Sequence, residues 1–140
     1  MPDTLLTFGW TGLIAAFWVA LCVGSFLNVV IYRLPVMLNR QWQADARAFL
    51  EQETADQAEE TFNLATPRSR CPACGTQIKA WQNIPVLSWL MLRGRCGACS
   101  TPISARYPAI ELLTGLATLA VLYVYGFTWV GVAASLYLSL

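Results

Sequence analysis

Residues 71–99 read CPACGTQIKAWQNIPVLSWLMLRGRCGAC and carry two Cys-x2-Cys pairs separated by 21 residues. Two thiolates on one tight turn can reach the same ion, and a second such turn completes a tetrahedral site. Pro72 stiffens the first turn, while Gly75 and Gly97 allow the unusual backbone angles that such turns need. Because four thiolates suit zinc, we predict a closed, structural zinc site. Its predicted ligands are Cys71, Cys74, Cys96 and Cys99.

The spacing alone leaves two other uses of these cysteines open. Two disulfides are the main alternative, but they would be reduced in the cytoplasm, where the charge pattern described below places this segment. A redox-active Cys-x2-Cys is the second alternative, although that chemistry needs only one pair. The fifth cysteine, Cys22, lies inside an apolar run, and we interpret it as a packing residue.

Apolar runs flank the cysteine segment on both sides. The 140-residue chain is 56% hydrophobic and 12% charged, whereas typical globular chains are about 25% charged. Residues 5–31 contain no charged side chain, and a helix of about 20 apolar residues crosses a bilayer. A cleaved signal peptide would need a basic start and a shorter core, so we predict a retained transmembrane helix. The run 107–127 predicts a second one.

A third apolar run, 128–140, is shorter than a membrane span. We therefore expect the sequence to be the front portion of a longer membrane protein, since a helix ending inside lipid would leave carbonyl groups unsatisfied. The predicted fold class is a truncated, α-helical polytopic membrane protein with a small cytoplasmic domain that resembles a zinc ribbon.

The charge pattern predicts the topology. All nine basic residues lie between Arg33 and Arg106, and the N-terminal tail has none. Because positive charge resists translocation, residues 33–106 should be cytoplasmic and the N-terminus periplasmic. The net charge of +1 does not favour a nucleic-acid partner, whereas the apolar runs make the lipid bilayer an expected one.

The chain divides into segments by composition. Residues 40–62 have apolar side chains at helical spacing opposite acidic ones, which predicts a solvated amphipathic helix, with partner docking as the alternative. Between the cysteine pairs, an apolar stretch that is too short to span should lie against the membrane interface or the helices; it contains Trp81, Ile84, Leu87, Trp89 and Leu90. The predicted segments are a periplasmic tail (1–4), transmembrane helix 1 (5–32), a cytoplasmic amphipathic helix with a linker (33–69), the zinc-binding domain (70–106), transmembrane helix 2 (107–127) and the start of helix 3 (128–140).

Two longer motifs resemble a known family. GSFLNVVIYRLP, residues 24–35, resembles the opening signature of the type IV prepilin peptidases, the leader peptidase/N-methyltransferases. The stretch 71–115, from CPACG to ELLTG, is similar to the cytoplasmic cysteine domain of that family and the start of its second span. The resemblance implies a bacterial inner-membrane enzyme that removes the basic leader of type IV prepilins and type II secretion pseudopilins. It also implies methylation of the new N-terminus with S-adenosylmethionine.

The aspartates of this chain do not fit the peptidase of that family. The resemblance implies an aspartic protease with two aspartates, one within GxGD. The aspartates present are Asp3, Asp45 and Asp56, and none lies in such a motif. Two carboxyl groups that share a proton are needed to activate water, so we predict no peptidase activity for these residues alone and expect the dyad beyond Leu140. A glycine-rich methyltransferase fingerprint is also absent, so methyl transfer rests on the resemblance.

Four further residues are candidates for substrate or cofactor contacts or for structural roles: Glu111, Asn28, Arg33 and Gly94. Glu111 lies one turn into the second apolar run, where an ionised group is costly and often functional; its alternative role is pairing with Arg106 or Arg33. Asn28 can hydrogen-bond between helices, and Gly94 can allow close approach of a cofactor or act as a turn residue. Two other functions are open to such a sequence: a non-enzymatic membrane adaptor whose zinc module docks a cytoplasmic partner, and a metal transporter, for which the expected intramembrane His/Asp cluster is absent from the sequence.

Overall fold

The computed structural model describes residues 3–50 and 62–139, and they are helical apart from one lobe. Helix α1 covers Asp3–Phe49, α2 Leu87–Met91, α3 Arg106–Tyr125 and α4 Trp129–Ser139, with a 3-10 turn at Ala80–Asn83. The lobe, residues 62–105, connects α1 to α3 and carries α2. The predicted helical architecture is therefore confirmed, and its placement in a membrane stays a prediction.

Helix α1 is longer than the first apolar run. It breaks its helical geometry at Gly9 and continues through Pro35 to Phe49. Proline removes one backbone donor, but the residues that follow favour helix, so the first half of the predicted amphipathic helix is continuous with the apolar one. The apolar side chains Trp42 and Phe49 are exposed on this extension. The second half of that predicted helix, 51–61, lies outside the described residues.

Within residues 3–50 and 62–139, two helices are long and apolar enough to cross a membrane, namely Gly9–Phe49 of α1 and α3. Helix α4, with 11 residues, is shorter than a span. It begins after the turn at Gly126, where the Thr128 hydroxyl accepts a hydrogen bond from the Gly131 amide at 3.1 Å and caps the helix start.

Helices α1 and α3 pack through two glycines. A Cβ on Gly24 would lie 2.8 Å from the Cα of Glu111, and one on Gly115 would lie 2.6 Å from the ring of Phe17. Small residues at a helix contact let the two backbones approach closely, which is how apolar helices gain van der Waals contact in lipid. The core of the described structure is this seam, lined by Ala20, Leu21, Asn28, Glu111 and Thr114.

Candidate metal centre

Each cysteine pair lies on a tight turn with the same hydrogen bonds. In the first turn, the Cys71 amide donates to the Thr76 carbonyl at 2.9 Å, and the Gly75 amide donates to the Cys71 carbonyl at 2.9 Å. In the second, the Cys96 amide donates to the Thr101 carbonyl at 2.8 Å, and the Ser100 amide to the Cys96 carbonyl at 2.9 Å. Each turn is closed by one isolated antiparallel bridge, Arg70 with Gln77 and Arg95 with Pro102. The lobe thus has paired turns where a zinc ribbon has hairpins.

One glycine of the second turn has a different role from the predicted one. Gly75 has φ 69° as expected, but in the second turn the left-handed residue is Ser100, with φ 59°, and not Gly97. Instead, a Cβ on Gly97 would lie 3.1 Å from Nε2 of Gln82. Gly97 therefore allows close packing against Gln82. The amide that donates to the carbonyl of the first cysteine belongs to the residue after the second cysteine, which in this turn is Ser100.

The four sulfurs converge. The Sγ atoms of Cys71, Cys74, Cys96 and Cys99 all lie within 4.8 Å of one another, and those of Cys71 and Cys99 are 3.8 Å apart. Zinc–thiolate bonds of about 2.3 Å in a tetrahedron place sulfurs about 3.8 Å apart, whereas a disulfide needs about 2.05 Å. All four cysteines are free. The donor set and its spacing fit a tetrathiolate metal site with no open position.

Two threonines tune the thiols and were missed from the sequence. The Thr76 hydroxyl is hydrogen-bonded to Cys74 Sγ at 3.3 Å, and the Thr101 hydroxyl to Cys99 Sγ at 3.2 Å. The hydroxyl and amide of Thr101 lower the pKa of Cys99 from 9.0 to about 6, and those of Thr76 lower the pKa of Cys74. Metal binding requires thiolates, so both threonines favour it.

The pKa of Cys71 shifts in the opposite direction from those of Cys74 and Cys99. The amides of Cys74 and Ala73 act to lower the pKa of Cys71, but burial together with the neighbouring thiols of Cys74 and Cys96 raises it above 9.0. Four thiols in one cluster cannot all ionise easily without a cation between them, because like charges repel. A positive ion between the four sulfurs would therefore favour their ionised form.

A repeat could have revealed these threonines. The second turn reproduces the first with a shift of 25 residues, since RCPACGTQI and RCGACSTPI share arginine, both cysteines, alanine, threonine and isoleucine. The backbone follows the same rule: the Ile78 amide donates to the Ser69 carbonyl at 2.9 Å and the Ile103 amide to the Gly94 carbonyl at 2.7 Å. Repetition of a threonine two residues after the second cysteine was the available signal.

Gly94 approaches a side chain of its own lobe. It is buried with φ 65°, and a Cβ there would lie 2.8 Å from Cζ2 of Trp89. The indole Nε1 of Trp89 donates to the Ile103 carbonyl at 3.1 Å, which holds the ring in place. The ring of Trp89 thus lies against Gly94, for which the sequence left a cofactor contact and a turn role open.

Glu111 joins helix α3 to the lobe. Its side chain is only 7% exposed, and its Oε2 accepts a hydrogen bond from the Val86 amide at 2.7 Å. Val86 precedes α2 and has φ 59° and ψ −51°. This carboxylate is therefore bound by a backbone amide in the left-handed region, whereas the sequence offered pairing with Arg106 or Arg33 as its alternative role.

Asn28 and Arg33 tie α1 to its neighbours. The Asn28 Nδ2 donates to the Tyr107 carbonyl of α3 at 3.2 Å and to Gly24 of its own helix at 3.3 Å. Arg33, which is buried, donates to the carbonyls of Asn63 and Pro67 at 2.7 and 2.5 Å. Its guanidinium also lies 5.5 Å from the Phe62 ring centroid, within cation–π range. The metal ligands converge at one site, whereas these two residues and Glu111 lie along the helix seam and its junction with the lobe.

Four converging thiols on a lobe between two long apolar helices define a helical protein with a module that could bind a metal ion. The family model of the bacterial peptidase A24 N-terminal domain matches residues 18–125, which include all four cysteines, and the chain belongs to this family. The resemblance predicted from the two motifs is confirmed.

Relatives of the chain share one name. Prepilin leader peptidase/N-methyltransferase of Stutzerimonas stutzeri is 54% identical over 116 residues, which is 83% of this chain and 40% of the relative. The chain is also similar to two further proteins of that name. The one from Neisseria gonorrhoeae is 54% identical over 79% of this chain and 38% of the relative. The one from Aeromonas hydrophila is 50% identical over 91% of this chain and 44% of the relative. The chain thus spans about 40% of the length of these relatives. No solved structure matches the chain.

Proposed function

We propose that this chain is the N-terminal part of a bifunctional membrane enzyme that cleaves the leader of type IV prepilins or type II secretion pseudopilins and methylates the new N-terminus. The observation that supports it is the 54% identity over 116 residues to a relative named for both activities, together with the match of residues 18–125 to the bacterial peptidase A24 N-terminal domain. The methyl donor would be S-adenosylmethionine. Gly94 stays a candidate for a cofactor contact or a turn residue, and its backbone packs against the Trp89 ring.

The proposed location is a bacterial inner membrane, with α1 and α3 crossing it and the lobe on the cytoplasmic side. Both helices have the length and composition of spans, and their outward side chains are apolar and exposed, as at Phe26 and Leu113. All nine basic residues lie between Arg33 and Arg106, so positive charge favours the cytoplasm for the lobe.

In this proposal the metal is zinc and its role is structural. A lobe of 44 residues (62–105) that lacks strands among its described residues has little core to hold its turns together, and a tetrathiolate ion supplies that stability. Glu111 and Arg33 then fix the lobe to α3 and α1, and Asn28 joins α1 to α3, through the hydrogen bonds described above. This framework would present the cytoplasmic end of the helices to the substrate.

The peptidase step needs a pair of carboxyl groups that are close together. Asp45 is exposed on the extension of α1, and Asp56 lies outside the described residues. We therefore propose that the peptidase dyad is not made from the aspartates of this chain, and that this chain by itself leaves prepilins uncleaved.

A chimera tests the proposal. This chain replaces the matching part of the Stutzerimonas stutzeri relative in a strain without its own prepilin peptidase, and mass spectrometry of a pilin records leader removal and N-methylation. We expect both modifications, and neither from this chain expressed alone. The matched controls are Cys96→Ser with Cys99→Ser, which should abolish processing by removing the metal, and Cys22→Ser, which should not. Unprocessed pilin with the chimera, alongside processing by the intact relative, would contradict the proposal.

A further inference from the structure

Helix α2 presents an apolar ridge that no described residue covers. Leu87, Leu90 and Met91 are 43%, 58% and 72% exposed, and their spacing of three and four residues places them on one face of the helix. Trp89 points the other way, where its indole binds the Ile103 carbonyl. The lobe therefore turns its tryptophan inward and three large apolar side chains outward. We call these three residues the α2 ridge.

The attachment of α2 to α3 sets the position of the ridge. Val86, the residue before α2, donates its amide to Glu111, which is the sixth residue of α3. At 1.5 Å per residue, this carboxylate is about 7.5 Å along the helix from its first residue. The start of α2 thus lies beside the first turns of an apolar helix, and the lobe does not stand clear of that helix end.

The positive charge of the lobe indicates which kind of surface the α2 ridge would contact. Residues 62–105 contain five cations and no aspartate or glutamate, and with four thiolates and a divalent ion their net charge would be 5 − 4 + 2 = +3. Arg93 and Arg95 follow α2 directly, are exposed, and line an open cavity of about 590 Å³ together with Ser100. An apolar ridge next to cations is the pattern of a segment that lies in the interface of an anionic membrane.

We propose that the α2 ridge inserts into the head-group boundary of the bilayer beside α3, and that Arg93 and Arg95 bind the phosphate of an anionic phospholipid. This inference rests on the proposed membrane position of α3 and adds a second contact of the lobe with lipid. A protein partner fits less well, because the ridge adjoins a helix whose own outward residues, such as Leu113 and Leu116, are apolar and exposed.

Photocrosslinking in nanodiscs of phosphatidylglycerol and phosphatidylethanolamine tests it. Benzoylphenylalanine is placed singly at Leu90, at Leu116 of α3 as the membrane control, or at Gln43 on the exposed extension of α1 as the aqueous control. Adducts are identified by mass spectrometry, and metal content reports whether the lobe is folded. We expect lipid adducts at 90 and 116, none at 43, and enrichment of phosphatidylglycerol at 90.

A double variant tests the contribution of Arg93 and Arg95 to lipid binding. In R93Q/R95Q the enrichment of phosphatidylglycerol at position 90 should fall on the order of fivefold per arginine removed, the effect of one cation at an anionic surface. Lipid adducts at 116 without adducts at 90, in a metal-loaded lobe, would overturn the insertion of the ridge. Adducts at 90 without any lipid preference would overturn the head-group contact. Absence of lipid adducts at 116 would instead contradict the proposed membrane position, and no arm depends on prepilin processing.

Discussion

The carboxylate of Glu111 accepts a hydrogen bond from the amide of Val86 at 2.7 Å, across 25 residues of sequence. Val86 has φ 59°, a conformation that costs a β-branched residue on the order of 1–3 kcal/mol. On its other side, the Cα of Glu111 packs against Gly24 of α1. One residue of α3 therefore holds both the neighbouring helix and the strained entrance of α2.

Replacing this carboxylate should loosen the lobe. Glu111→Ala leaves the Val86 amide without its acceptor, and we expect a loss of about 1–3 kcal/mol in unfolding free energy. Glu111→Gln keeps an acceptor oxygen and should lose less. Hydrogen exchange at residues 86–91, together with thermal unfolding in nanodiscs, measures the effect. Equal protection in wild type and Glu111→Ala would show that the bond does not stabilise α2.

The helix seam should not tolerate a side chain at Gly24. A Cβ there would lie 2.8 Å from backbone of α3, so Gly24→Val should push the helices apart and cost about 1–3 kcal/mol. The matched control is Ala15→Val, which adds volume at an exposed position of the same helix. Thermal unfolding compares the two. A melting temperature for Gly24→Val equal to that of the control would contradict the close approach.

Removal of any one cluster cysteine should release the metal. We expect one zinc ion per chain after purification without chelator, and a large loss in Cys71→Ser, Cys74→Ser, Cys96→Ser and Cys99→Ser, because three thiolates leave the ion incompletely coordinated. Cys22→Ser is the control, since that thiol lies on α1. Metal analysis and thiol titration provide the measurement. Four freely reactive thiols and no bound metal in the wild type would refute the site.

Acid should release the metal at a pH set partly by Thr101. The pKa of Cys99 in the folded, metal-free lobe is about 6, below its ordinary value of 9.0. Its thiolate therefore stabilises the fold fully above about pH 9, and this contribution is lost as the pH falls towards 6. Thr101→Val removes the hydroxyl and should raise the pKa of Cys99.

Metal release on acidification should accordingly begin at a higher pH in Thr101→Val than in the wild type, because protons compete better for the sulfur. A chromophoric chelator follows the release across a pH series. Thr118→Val, a change of the same shape on α3, serves as the control. Identical release curves for all three proteins would rule out a contribution of the hydroxyl.

Most of the metal site could be predicted, because local spacing decides which atoms a turn can bring together. Cys71 and Cys74 are held by one turn, and the second pair repeats it. The left-handed residue of the second turn was assigned wrongly to Gly97, since glycine is the usual occupant and Ser100 takes that conformation here. Thr76 and Thr101 escaped notice because a threonine hydroxyl signals no chemistry until its distance to a sulfur is known.

The sequence by itself determined the features that depend on neighbouring residues: the apolar helices, the two cysteine turns and the family. Only the tertiary structure decided the partners of the polar groups on the seam, because a buried carboxylate or guanidinium binds whichever group the packing brings within reach. Glu111 thus meets the Val86 amide, Arg33 meets the carbonyls of Asn63 and Pro67, and Gly94 meets Trp89. The pairings of Glu111 and Arg33 join residues 25 to 34 positions apart in the chain, and no local pattern encodes them.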